Sequence, residues 1–63
     1  MPNFNQEVEF IMKFEAGELY EHQIIAGFQL LIDSGTVWSL QGSYGRMAQR
    51  LIDEGYCTEA ESD

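Results

Sequence analysis

Covalent catalysis needs a nucleophile, a base to activate it and a third group to orient the base. For those parts the chain offers His22, Cys57 and scattered serines. His22 stands beside Glu21 at the start of an apolar-periodic segment, with no Ser, Cys or Asp in a motif relation to it. Cys57 borders an acidic run, and neighbouring carboxylates raise a thiol pKa rather than lower it. One His and one Cys make neither a zinc-ligand set nor an internal disulfide. The carboxylates lack the Asp-x-Asp-x-Asp spacing of a calcium loop. The expectation is therefore a protein that is not an enzyme, with no catalytic residue, no cofactor and no metal site.

Binding chemistry is better represented. Gly42-Ser43-Tyr44-Gly45-Arg46 places glycines and a Ser before a helical pattern, where free N–H groups and Arg46 could hold an anion. The plainer reading is an N-cap at Ser43 with turn glycines, since the longer Gly-rich run and Lys-Ser/Thr ending of a phosphate loop are missing. Arg46 and Arg50 lie one helical turn apart and share a face, suited either to a partner or to internal pairing with Asp33, Asp53 or Glu54. Trp38, with Tyr44 and Tyr56 nearby in sequence, is expected mainly in the core; exposed, it would mark a contact surface. The candidate partner-binding set is thus Trp38, Gln41, Tyr44, Arg46 and Arg50, because interface hot spots favour Trp, Tyr and Arg. An alternative set is an acidic face of Glu15, Glu18, Glu21, Asp53 and Glu54, whose carboxylates could imitate DNA phosphates.

Composition narrows the choice. Eleven acids against Lys13, Arg46 and Arg50 give a net charge of −8. The negative surplus sits in residues 1–35 and 56–63, while residues 36–55 sum to zero. Direct binding to nucleic acid is disfavoured, because no basic footprint exists. A basic protein surface is the complement. No apolar run approaches the roughly 20 residues that span a bilayer, and Glu7 and Glu9 replace the basic region of a signal peptide, so no membrane association and a cytoplasmic location are expected. A chain of 63 residues has a marginal core, which makes a homodimer or other self-association a further expectation.

Those residues must be positioned by a small all-α fold. Residues 6–16 fit a strand by alternation of Val8, Phe10, Met12 and Phe14, and a helix by the face Val8, Ile11, Met12 and Glu15. Glu7, Glu9, Ala16 and a stop at Gly17 favour the helix, with Asn3 or Asn5 as its cap. Residues 20–34 carry the stripe Ile24, Ile25, Phe28, Leu31 and Ile32, and the mid-helix Gly27 predicts close approach of another helix. Residues 36–41 read as a connector, either one helical turn or extended. Residues 44–54 carry Tyr44, Met47, Ala48, Leu51 and Ile52. Gly17, Gly35 and Gly55 each end a helix and are followed by Leu19, Val37 and Tyr56 as apolar contacts. The expected organisation is a three-helix domain over 1–57 and a disordered acidic tail over 58–63.

From Phe28 to Cys57 the string F-Q-x-L-I-D-x-G-x-x-W-x-L-Q-G-x-Y-G-R-x-A-x-x-L-I-x-x-G-x-C resembles a family of small tailed-bacteriophage proteins of unassigned function. Glu15, Gly17, Glu18 and Leu19 extend the likeness upstream, and Trp-x-Leu-Gln-Gly-x-Tyr-Gly-Arg is its most specific part. Tyr20 departs from the pattern, standing where a capping Ser, Thr or Asp would be expected. The resemblance implies an accessory phage protein working in the infected host's cytoplasm and brings no catalytic residues. Two roles follow as expectations. One is binding a host or phage protein to modulate or inhibit it, by anti-defence action, host takeover or DNA mimicry. The other is assembly, as a homo-oligomer or minor virion component.

Overall fold

A computed structural model describes residues 4–60. Its elements are α1 (Phe4–Glu15), α2 (Glu21–Ser34), a 3-10 turn (Thr36–Ser39) and α3 (Gly42–Asp53), with no strand among the described residues. The chain is all-α, and residues 6–15 are helical rather than extended.

Phe28 is the hub. It is fully buried, and the rings of Phe10 and Phe14 meet it edge-on at 5.6 and 5.4 Å between centroids. Tyr44 closes the cluster from α3, 6.0 Å from Phe28 and 5.8 Å from Phe14. Burying a Phe side chain stabilises by about 1.5–3 kcal/mol, and each such ring pair adds about 0.5–1.5 kcal/mol. Leu31, Ile32, Val37, Ala48, Leu51 and Cys57 complete the core.

Gly27 explains how α1 reaches that hub. A Cβ at this position would lie inside the Phe10 ring, so the aromatic packs directly on the α2 backbone. The predicted close approach is there. The inward face of α1 differs from the expected one, however. Glu7, Phe10 and Phe14 turn inward with Ile11 at their flank, while Val8 and Met12 are exposed. The stacked Phe10–Phe14 pair, one turn apart, decides the rotation, because two rings bury more apolar area than Val8 and Met12 would.

The three glycine stops all adopt positive φ: 71° at Gly17, 84° at Gly35 and 85° at Gly55. After α1 and α3 the paired bonds of a Schellman ending form, with Glu18 N–H donating to the Lys13 carbonyl at 3.0 Å and Tyr56 N–H to that of Leu51 at 2.9 Å. After α2 the Ser34 hydroxyl takes over part of that role, accepting from Thr36 N–H at 3.3 Å. Tyr56 is exposed instead of packing as the apolar contact beyond Gly55; Cys57 takes the buried position.

Two expected helix starts move. Ser43 lies inside the first turn of α3, and Gln41, with extended backbone and no side-chain cap bond, is its N-cap. Asn5 lies within α1, and Asn3 is outside the described residues. At α2, Tyr20 supplies no capping oxygen; Gln23 Oε1 accepts the Tyr20 N–H at 2.9 Å and satisfies the cap from the other side. The chain after α3 is held as far as Thr58, whose N–H and carbonyl both pair with the Gln29 side chain at 2.9 Å. Residues 58–60 carry no helix, and the rest of the expected tail, 61–63, is outside the described residues.

Candidate functional site

The connector between α2 and α3 puts consecutive apolar residues on opposite sides. In the 3-10 turn, Val37 is fully buried while Trp38 remains 50% exposed. The Trp38 ring rests on α3 at Gly45, where a Cβ would sit 3.7 Å from Trp38 Cε3. Trp38 is therefore not the core plug expected of it, because the smaller Val37 already fills that space. The six-membered ring of the indole lies against the helix at Gly45, and half of the residue's surface stays open. Gln41, also exposed, follows three residues later at the head of α3.

The remaining members of the predicted set divide. Tyr44 is buried, 7% exposed, and its hydroxyl donates to Glu15 Oε2 at 2.7 Å. It is a core residue and not a contact residue. Burial first, then the hydrogen bond to Glu15 and its charge, push the Tyr44 phenol up to about 12. Arg46 and Arg50 are exposed on α3, but at about 100° per residue they lie roughly 100° and 140° around the helix from Gly45, where Trp38 rests. The geometry thus makes two surfaces: Trp38 and Gln41 on one flank, and the arginines with Ser43 and Met47 on the other.

On the arginine flank a groove runs between α2 and α3. Ile24, Ile25 and Met47, all half-buried, form its floor, and Glu21, Arg50, Glu54 and Tyr56 its rim. Arg50 pairs with Glu54 at 3.6 Å, one of the internal pairings anticipated. Arg46 turns back toward Gly42 in the first turn of α3 and forms no ion pair among the described residues.

The acidic set is similarly dispersed. Glu15 is held by Tyr44, Asp53 accepts from Gln49 at 3.0 Å, and Glu54 is paired with Arg50. Glu18 and Glu21 are exposed near the junction of α1 and α2. Sequence reasoning missed Glu7, which is 6% exposed and accepts the Thr36 hydroxyl at 3.0 Å. A carboxylate three residues before Phe10 and seven before Phe14 on the same face was the available signal. His22 stacks on Tyr20, ring centroids 6.0 Å apart, and both are exposed. Cys57 is buried with Sγ 3.5 Å from the Ile25 carbonyl; burial, then the Asp33 charge, push its thiol pKa up. No group of three or more His, Cys, Asp or Glu side chains converges among the described residues. No helix among them is long and apolar enough to cross a membrane.

Comparison with known proteins returns one family: its model, described as a domain of unknown function (DUF7417), matches residues 1–62. No curated protein and no solved structure matches the chain.

Proposed function

We propose that this chain, which belongs to the DUF7417 family, is a small acidic accessory protein that works by binding another protein through the Trp38 surface. The observation that carries this reading is the half-exposed indole seated on Gly45. Contact with α3 at Gly45 limits the rotational freedom that binding would otherwise have to freeze. A large aromatic presented this way is the residue type that most often dominates an interface. The charge of −8 steers the chain toward a partner with a basic surface. The likeness to tailed-phage proteins makes a bacterial host protein, modulated or inhibited on binding, the partner class.

A DNA-imitating acidic face has less support, because Glu15, Asp53 and Glu54 are already engaged with Tyr44, Gln49 and Arg50. The test is affinity capture from bacterial lysate with the native chain, Trp38→Ala and Arg46→Ala side by side. A protein enriched by the native chain and by Arg46→Ala, but lost with Trp38→Ala, is the expected result. Equal enrichment by all three chains would refute the Trp38 surface.

A further inference from the structure

The groove on the arginine flank has a polarity that the Trp38 surface lacks. Phe28, at the middle of α2, meets Tyr44 in the first turn of α3, while Glu21, Ile24 and Ile25, nearer the start of α2, share the groove with residues from Met47 to Glu54, so the two helices run antiparallel. Glu21, at the start of α2, therefore lies at the same end as Glu54, just past the end of α3. Arg46 lies toward the opposite end, about 12 Å away along α3 at 1.5 Å per residue. Between them are the apolar floor and Arg50, already tied to Glu54. Read along its length, the strip is cationic, then apolar, then anionic.

We propose that a second copy of this chain seats antiparallel on this strip, with Arg46 of each copy facing Glu21 of the other across a two-fold axis midway along it, at the level of Arg50. Four observations support a second copy as the occupant. A two-fold axis sets each end of a strip against the opposite end of its mate, so a strip charged oppositely at its ends is complementary to itself. Arg46, the fifth residue of α3, turns its guanidinium back beside Gly42 in the first turn, where the macrodipole disfavours a cation, and has no carboxylate of its own among the described residues. Arg46, Arg50, Glu21 and Glu54 sum to zero, so the whole excess of −8 lies elsewhere and this is where two chains repel least. Met47, Arg50 and Tyr56 are also residue types enriched at interface centres. A uniformly basic partner would meet the arginines, and a uniformly acidic one the glutamates.

Sedimentation of the full chain from about 10 µM to about 1 mM tests this, with Arg46→Glu, Glu21→Lys and an equimolar mixture of the two. Both substitutions are at exposed positions, and circular dichroism checks that each variant keeps its helices. The native chain is expected to dimerise, and each variant alone to dimerise at least about tenfold more weakly, because both cross-pairs become like-charged. The mixture is expected to recover the native affinity, because both cross-pairs become opposite again. A native chain that stays monomeric at the highest concentration overturns the proposal. So does a mixture that associates no better than its components. Trp38 lies on the other flank, so neither result bears on partner capture through it.

Discussion

Tyr44 joins three parts of the molecule through one ring and one hydroxyl: Phe14 and Glu15 of α1, Phe28 of α2, and its own helix. Tyr44→Phe keeps the ring contacts and removes the bond to Glu15. Because Glu15 is exposed and stays hydrated, the loss is expected to be about 1 kcal/mol, measured by urea unfolding at neutral pH. The same phenol sets an alkaline limit. Its pKa is raised to about 12 in the folded chain, so the folded state holds the proton more tightly than the unfolded one. Its contribution is complete below about pH 10, the ordinary phenol value, and is lost as pH rises through about 12. A stability titration should show that decline in the native chain and a shallower one in Tyr44→Phe. Gly27 is the second decisive residue. Gly27→Ala gains about 1 kcal/mol of helix propensity but drives a methyl into the Phe10 ring, and overpacking costs about 1–3 kcal/mol. The net expectation is a lower Tm, at roughly 4–8 °C per kcal/mol for a chain this small, measured by thermal circular dichroism.

The helices were legible where their apolar stripes were unambiguous. In α2 and α3 the 3.6-residue stripes and the glycine stops located both elements, the close approach at Gly27, and the burial of Phe28, Leu31, Ile32, Ala48 and Leu51. In α1 the residues alternate apolar and polar, so periodicity suited a strand as well as a helix, and the helical face it named was Val8, Ile11, Met12 and Glu15 rather than the one that packs. The choice rested on Phe28, which lies 14 residues beyond Phe14 and is invisible to local reading. The same limit hid Glu7, whose partner Thr36 is 29 positions away. In the 3-10 turn two adjacent apolar residues compete for one buried place, and periodicity cannot say that Val37 wins and Trp38 stays half outside. The candidate set therefore grouped Trp38, expected mainly in the core, with an arginine flank that the helix turns away from it. The glycine stops also make an element-scale prediction. Gly17→Ala places a Cβ in left-handed backbone with no neighbouring atom to clash, so its cost is conformational alone. About 1–2 kcal/mol of destabilisation is expected from urea unfolding, and Gly55→Ala should match it.

At the scale of the whole molecule, charge and size set the terms. The described chain extends 32 × 29 × 21 Å, whereas charges are screened over about 8 Å at physiological salt and about 30 Å at 0.01 M. Carboxylates at opposite ends therefore repel one another at low salt and hardly at all near 0.15 M. With −8 on one small domain, the Tm is expected to rise as salt is raised between those limits, as read by calorimetry. A flat or falling profile would mean that favourable pairs such as Arg50–Glu54 outweigh the repulsion.

The pinned segment after α3 also gives the molecule its own clock. Cys57 is sealed against the Ile25 carbonyl, and the pair of hydrogen bonds between Gln29 and Thr58 closes the seal one residue further on. An electrophile in solution can reach the sulfur only in the instants when that flap lifts, so its rate of attachment counts opening events rather than intrinsic reactivity. Gln29→Ala should unlatch the flap and speed attachment severalfold while leaving the midpoint of global unfolding nearly in place. The ratio of the two rates would time how often this end of the molecule breathes independently of the rest.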